Sequence, residues 1–457
     1  MKIELKNRAV RDMTEGPVMQ HLIKYTLPLL FGSIFQVLYG TVDSVVVGNC
    51  ISVQALAAVG ATSFITGILV FFFTGFSTGA SVVIGRAFGA KDQQKIHHAI
   101  STAITSTFLF CIAFTIIGVA FTDPVLRLFS TPDDVFSDAA TYLRIYFGGI
   151  SGLLLFNICG GILRAVGDTV HPLIFLAASN ILNVVLDLLF VLVFHMGIEG
   201  VAFATVISQM VTAVALLVLL THTDEIYRLC WSDLHIDPEV HKEILAIGVP
   251  AGVQSIIAAI SNAFMQGYVN SFGSTVMAGW SCYYKLNSFV SIPMNSFSIA
   301  ATIFASQNLG SRQYDRVRKG IRLSSLLTLG VTAFLCTVVF SFARPMVRLF
   351  NKTPEVVHYG SLFIHLNIYP LVIYGVSHTL TGSLRGLGDS RNVMVMKLIF
   401  FVALRQLYLY VMTNFVANTP VVVALSVPFS WIIGSVAEFL YFQLRWRKRL
   451  AGEEIIT

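Results

Sequence analysis

The chain is 457 residues long, 55% hydrophobic and only 12% charged, with a mean hydropathy of +0.76. That leaves too little polar surface to coat a soluble globule of this size, so the composition excludes a soluble protein and indicates a membrane one. The formal net charge of +6 would suggest a nucleic-acid partner in a soluble domain; here loop cations that set membrane topology account for it, and no nucleic acid is expected.

The first twenty residues carry Lys2, Glu4, Lys6, Arg8, Arg11, Asp12 and Glu15, with no short apolar core and cleavage site behind them, so no cleaved signal peptide is expected. From there on, apolar runs long enough for a span of about 20 residues recur along the chain. They predict twelve helices at 22–48, 55–85, 97–121, 139–163, 171–195, 199–221, 243–271, 275–304, 320–342, 357–383, 392–416 and 421–444. The short alternating segments of a membrane barrel are absent, so the spans are helical. Pro28, Pro250, Pro370 and Pro428 sit inside spans as kinks, and Pro28 in span 1 is the candidate hinge. Thr221 to Lys242, between spans 6 and 7, form the one long loop, read as a cytoplasmic linker whose acids are a solvated surface. Cys50, Cys111, Cys159, Cys230, Cys282 and Cys336 show no CxxC spacing and no accompanying histidines, so neither a disulfide frame nor a zinc site is expected.

Of the 30 Lys and Arg, 23 fall at the termini and in the even-numbered loops and five in the odd loops; Lys285 and Arg405 fall inside spans. Cytoplasmic loops retain positive charge, so the reading is a multi-pass protein of the cytoplasmic (inner) membrane with both termini cytoplasmic.

The second half repeats the first at an offset of 221 residues. Gly85-Arg86-Ala87-Phe88-Gly89-Ala90 aligns with Ser306-Gln307-Asn308-Leu309-Gly310-Ser311, and Arg127-Leu128-Phe129 with Arg348-Leu349-Phe350. Leu163-Arg164-Ala165-Val166-Gly167-Asp168 aligns with Leu384-Arg385-Gly386-Leu387-Gly388-Asp389, while Leu27-Pro28 meets Val249-Pro250 one residue out of register. An even number of spans per half makes the copies parallel repeats, which typically rock against each other. The expected fold class is an all-α integral membrane protein of twelve transmembrane helices, in two parallel six-helix repeats forming two lobes. Residues 1–222 form the N-terminal lobe, 223–242 the linker and 243–457 the C-terminal lobe.

Across essentially the whole chain, the two six-span repeats, the Leu-Pro of span 1, the Gly-rich loop after span 2 and the Arg-x-x-Gly-Asp ends of spans 4 and 10 resemble the multidrug and toxic compound extrusion (MATE) family. The resemblance implies an exporter of small organic compounds driven by a cation gradient.

Charged groups at membrane depth cost at least about 2.5 to 3.5 kcal/mol on insertion scales and need a reason to be there. In the first half Asp43 interrupts span 1 and Asp187 interrupts span 5. Asn180, Asn183 and Asp187 fall on one stripe of span 5. Spans 5 and 6 turn near Gly197, which puts Asp187 and Thr205 roughly 15 and 12 Å below the outer end, with Asp43 roughly 9 Å in. Asp43, Asn183, Asp187 and Thr205 also match the first-half cation site that the resemblance implies, and Tyr142 is a further candidate. At the 221-residue offset Asp43 meets Phe264 and Asp187 meets Tyr408; acids that only braced the fold would have counterparts. Two carboxylates in an apolar cavity can hold a proton or recruit a hard cation through oxygen ligands, so Na+ and H+ are both open as the coupling ion, and if it is Na+ these four residues are its ligands.

The second half differs. Span 7 has Gln254 and Gln266, and span 10 has His365 and His378, where further acids would be needed for a second cation site. Gln36, Met265, Tyr284, Lys285 and Arg405 are candidates for a substrate cavity, with Glu438 a partner for Lys285 or Arg405. The aromatic and Met side chains of span 8 suit flat apolar molecules, and more often pack helices. Small organic substrates, planar or cationic, are expected, handled by a monomer in the bilayer with no cofactor. No HExxH, GxSxG or GxxxxGK[ST] occurs, so an enzyme is not expected. The rival readings are a flippase of lipid-linked saccharides, which would use Lys285 and Arg405, and a dedicated metabolite exporter.

Overall fold

The computed structural model describes residues 10–450, with side chains placed for all of them except 38, 39, 41–45, 49 and 53. Helix follows helix. The first half comprises α1 (Val18–Cys50), α2 (Val53–Gly89), α3 (Gln93–Ala120), the short α4 (Thr122–Leu128), α5 (Asp133–Gly148), α6 (Ile150–Ala165), α7 (Val170–Leu188) continued by a π-helical turn over Leu189–Val193, and α8 (Ile198–His222). The second half repeats the series as α9 (Pro238–Asn270), α10 (Ser274–Gly310), α11 (Tyr314–Ser341), α12 (Ala343–Phe350), α13 (Pro354–Asn367), α14 (Pro370–Gly386), α15 (Ser390–Met396), a π-helical turn over Lys397–Ala403, α16 (Leu404–Phe415) and α17 (Pro420–Tyr441). A last π turn over Phe442–Trp446 leads into α18 (Arg447–Leu450).

Among the described residues nine helical segments are long and apolar enough to cross a membrane, and two further spans are bent pairs. The 33-residue α1 is a further long helix, so the layout accords with the twelve expected spans. Spans 4 and 10, read from the sequence as single helices, are broken: α5 meets α6 at 49° and α13 meets α14 at 52°. The first break falls at Gly148-Gly149. The second falls just before Pro370, which has no N–H to continue the ladder.

The duplication is visible in hydrogen bonds. After α6 the Gly167 N–H donates to Arg164 O (3.0 Å) and the Asp168 N–H to Leu163 O (2.9 Å); after α14 Gly388 and Asp389 do the same to Arg385 (2.8 Å) and Leu384 (2.9 Å). These are Schellman ends, and the two glycines take φ of +88° and +89°, which side chains resist. Between helices, Ser77 Oγ donates to Asn157 O (2.8 Å) and Ser81 Oγ to Gly161 O (2.9 Å). Ser298 to His378 O and Thr302 to Gly382 O, each 2.9 Å, reproduce both bonds 221 residues later.

Past Gly388 the register moves by one. The starts of α8 and α17, Ile198 and Pro420, are 222 residues apart. Ser208 Oγ donates to Thr205 O (3.0 Å) as Ser430 Oγ does to Val427 O (2.9 Å), again 222 apart. The extra residue is taken up by the π turn at Lys397–Ala403, where the Leu404 N–H reaches back five residues to Ile399 O. Asp187 therefore stands opposite Leu409 rather than Tyr408, and Asn183 opposite Arg405.

Contacts gather the chain into two compact units: residues 10–12 with Leu27–Gly252, and Met13–Thr26 with the chain from Val253. In the first, α2 and the start of α9 touch backbone to backbone. A Cβ on Gly75 would lie 2.4 Å from Gly252 N, and one on Gly79 would lie 2.3 Å from Ile244 O. Two small-xxx-small pairs, Gly75/Gly79 and Gly248/Gly252, allow that approach. In the second unit Arg316 holds the segment before α1, donating to Met13 O, Glu15 O and Gly16 O at 2.7–3.0 Å.

Candidate functional site

Helices α7 and α8 form an antiparallel pair in the first unit, and the seam between them is polar although the helices are otherwise apolar. Asn183 is 1% exposed, Asp187 0% and Thr205 5%. Asn183 lies between the other two. Its amide fits its neighbours when Nδ2 donates to Asp187 Oδ2 (2.9 Å) and Oδ1 accepts from the Thr205 N–H (3.2 Å). In the reverse setting Nδ2 faces Thr205 Oγ1 at 3.4 Å. The i, i+4 spacing of Asn183 and Asp187 on one helical stripe makes this contact local. The seam continues through Ser179, whose Oγ donates to Ser208 O (3.2 Å), and through Thr212, which donates to the same carbonyl (2.8 Å). Asn180, half-buried, donates to Phe35 O of α1 at 3.3 Å and so ties α7 to the first helix.

Asp43 belongs to α1, but its side chain lies outside the described residues. Tyr142 is buried on α5 and stacks on Tyr146, with ring centroids 6.2 Å apart. Pro28 lies within the continuous α1. What the described cluster offers is a carboxylate, an amide oxygen and a hydroxyl in a water-poor place, the donor set that suits a proton or a hard cation. Among the described residues no group of three or more His, Cys, Asp or Glu side chains is arranged to hold a metal.

The residues proposed for a substrate cavity differ in exposure. Met265 is buried in the core of the second unit, with Ser426 Oγ 4.0 Å from its Sδ. Tyr284 and Lys285 are exposed, and Lys285 lies over the Phe350 ring at 5.4 Å. Gln36 is exposed on α1. Trp280, Tyr283 and Met294 pack the core, the ordinary role of such side chains, and Phe289 is exposed. Arg405 is buried, 5% exposed, with Nε donating to Ser430 Oγ and Nη1 to Asn262 Oδ1, both at 3.1 Å.

Glu438 does not partner Lys285 or Arg405. Its Oε2 lies 2.9 Å from Lys397 Nζ, and it also accepts from Ser377 Oγ and Thr381 Oγ1. Lys397 counts among the cytoplasmic loop cations when the sequence is read; the structure instead buries it, with the Phe401 ring centroid 4.0 Å from its Nζ. The one signal for this was an apolar run continuing on both sides of Lys397. Gln254 accepts from Arg385 Nη2 at 2.8 Å, and His365 packs edge-on against Phe340.

The linker is not simply a solvated loop. Asp237 caps α9, accepting from the Glu239 N–H (2.9 Å) and the Val240 N–H (3.2 Å), and lies 3.1 Å from His98 Nδ1 on α3. The hydrogen bond from His98, then those from the backbone, hold its carboxyl below the usual aspartate range. Ser101, Thr102 and the Lys95–Glu243 pair (2.9 Å) add to this attachment.

Comparison with known proteins places the chain beside transporters. The MatE family model matches it twice, over residues 28–189 and 250–411. The chain is similar to the probable multidrug resistance proteins YoeA (27% identity over 93% of each chain) and YpnP (28% over 95% of this chain and 97% of the relative), both of Bacillus subtilis. It is 22% identical to the multidrug export protein MepA of Staphylococcus aureus over 99% of this chain and 100% of that one. Among solved structures, a MATE in the straight conformation superposes with a TM-score of 0.90 at 19% identity, and an outward-facing multidrug resistance MATE family transporter with 0.89 at 18% identity. Each match covers 98% of this chain and 100% of the other.

Proposed function

The chain belongs to the MatE family, and from that premise we propose that it is an antiporter that exports small organic compounds across the inner membrane in exchange for sodium or protons. The observation that carries this reading is the buried contact among Asp187, Asn183 and Thr205 in a membrane carrier whose second repeat has Leu409, Arg405 and Val427 at those places. A brace would recur in both repeats; a coupling site need occur only once. The relatives' names support drug-like cargo, and the loop cations support cytoplasmic termini.

Asp187 and Asp43 would hold the coupling ion, with Asn183 and Thr205 completing its oxygen ligands if it is sodium. A cation there removes net negative charge from an apolar surrounding, so it favours whichever arrangement of the helices encloses it, and that bias is the only means by which it can shift the carrier between access states. Pro28 in α1, the helix that carries Asp43, would be the place where the helix changes its bend. The protein works as a monomer in this reading.

The test is efflux of ethidium from energised membrane vesicles with a sodium or a proton gradient imposed separately. Gradient-driven efflux by the wild type that is lost in both Asp43→Asn and Asp187→Asn establishes the exchange and names the ion. Wild-type vesicles that move ethidium with neither gradient, or variants that transport as well as the wild type, overturn the reading.

A further inference from the structure

The corresponding polar seams of the two repeats carry opposite charge, Asp187 in the first and Arg405 in the second, although the two residues are not at equivalent positions. With the register of 222 that holds beyond the π turn, Asn183 corresponds to Arg405 and Ser208 to Ser430. In the first repeat the polar seam runs between its fifth and sixth spans, α7 and α8, with Asn180 reaching to the first, α1. In the second, Arg405 on α16 meets Ser430 on α17 and Asn262 on α9, again the fifth, sixth and first spans of the repeat. Gln406 beside it reaches Ser261 on α9, 3.4 Å from its Oγ. One fold element thus holds a carboxylate with an amide in one copy and a guanidinium with an amide and a hydroxyl in the other.

Arg405 is charged at any pH a cell reaches. Its five N–H donors make two hydrogen bonds here, both to neutral acceptors. Glu438, the buried acid of the second unit, is engaged by Lys397, Ser377 and Thr381, and no carboxylate lies within ion-pair distance of Arg405 among the described residues. A buried guanidinium with spare donors and no counter-ion is costly to keep, and the cost is relieved when an anion binds. Asn262 is exposed, so the Asn262 end of this site is not covered by protein.

We propose that Arg405, with Ser430 and Asn262, forms an anion-binding site in the second repeat that takes the carboxylate of an organic substrate. Cargo for this carrier then includes organic acids and zwitterions, not only planar cations. As a statement about cargo it rests on the exporter reading; as a statement about a site it does not, and the experiment is an equilibrium measurement without any gradient.

Fluorescein, a planar xanthene dye that bears a carboxylate on its pendant ring, is titrated against detergent-purified protein in low-salt buffer and its binding followed by fluorescence anisotropy, with ethidium binding and thermal unfolding measured on the same samples. Arg405→Gln is expected to weaken fluorescein binding about tenfold or more, the scale of a lost charge-assisted hydrogen bond, with Arg405→Lys intermediate and ethidium binding unchanged. Asn262→Ala, a truncation of an exposed side chain, carries the same test if Arg405→Gln does not fold; a weakening of several-fold is expected. Chloride that competes with fluorescein, or that alone raises the unfolding temperature of the wild type but not of Arg405→Gln, assigns the site to inorganic as well as organic anions. Fluorescein insensitive to chloride assigns it to organic carboxylates. Binding to the variants with wild-type affinity, or a wild type that responds to neither fluorescein nor chloride, overturns the proposal, whatever the outcome of the vesicle experiment.

Discussion

Lys397 and Glu438 form an ion pair of 2.9 Å in the interior of the second unit, linking the π turn after α15 to α17, and each is flanked by a departure from α-helical geometry. Glu438 has all its visible partners in place: one ammonium and two hydroxyls. Removing one member of such a pair leaves the other charge buried and uncompensated, at about 3–5 kcal/mol. Glu438→Gln is therefore expected to lower the unfolding temperature in detergent strongly, and Lys397→Met combined with Glu438→Gln to recover most of the loss. A Glu438→Gln protein as stable as the wild type would show that the pair is not needed to hold these helices.

Contact between α2 and α9 depends on bare backbone. Gly79→Val is expected to destabilise by about 1–3 kcal/mol, because its Cβ would start 2.3 Å from the Ile244 carbonyl and the helices must separate. Gly330→Ala on α11, where nothing lies within 4 Å of the added Cβ, is expected to be neutral or to stabilise by up to about 1 kcal/mol through helix propensity. Thermal unfolding of both variants beside the wild type distinguishes a packing constraint from a general intolerance of substitution at helical glycine.

In the proposed coupling cluster, Asn183 contributes a neutral hydrogen bond and a potential ligand rather than a charge. Asn183→Ala is expected to leave transport running and, with sodium as the ion, to raise the concentration giving half-maximal efflux about tenfold through the loss of one oxygen ligand; with the proton as the ion, losing a hydrogen bond that favours the ionised carboxylate lowers that concentration instead. Unchanged concentration dependence with reduced maximal rate would place Asn183 outside the ion site.

At the linker, the lowered carboxyl of Asp237 has a definite pH signature. A group whose affinity for protons is weaker in the folded chain adds stability that is present above its ordinary value, about 3.9, and is lost as pH falls through the depressed one. Protease cleavage of the segment around residues 223–237 is thus expected to stay slow from neutral pH down to about 4 and to accelerate below that. Asp237→Asn is expected to flatten this acid limb. Equal acceleration in the variant would assign the limb to other groups.

Much of the fold could be read from residue order because the bilayer imposes long apolar runs, and a duplication prints each one twice. The Gly167/Gly388 ends and the Ser77 and Ser298 bonds fall at the offset read from the sequence. The bend in span 10 falls at Pro370, a kink marked in the sequence, whereas the Gly148-Gly149 break of span 4 is not marked by a proline within its apolar run. The meeting of Asn183, Asp187 and Thr205 followed from helical spacing and a short hairpin, both local properties.

Lys397 shows where such reading ends. A lysine near a predicted helix end is assigned by default to the loop, and only the packing of α14, the π turn and α17 places Glu438, Ser377 and Thr381 around it. The same holds for Arg405: the sequence marks it as a cation at membrane depth, but its partners are 143 and 25 residues away, and the one-residue register shift that aligns it with Asn183 arises in a π turn. Sequence by itself determined the membrane setting, the helical class, the two repeats and the polar stripe of α7, since these depend on hydrophobic length, repetition and spacing within one helix or hairpin. Tertiary structure decided which buried charges are paired, because a counter-ion is chosen by helices that meet in space, and distance along the chain carries no record of that meeting.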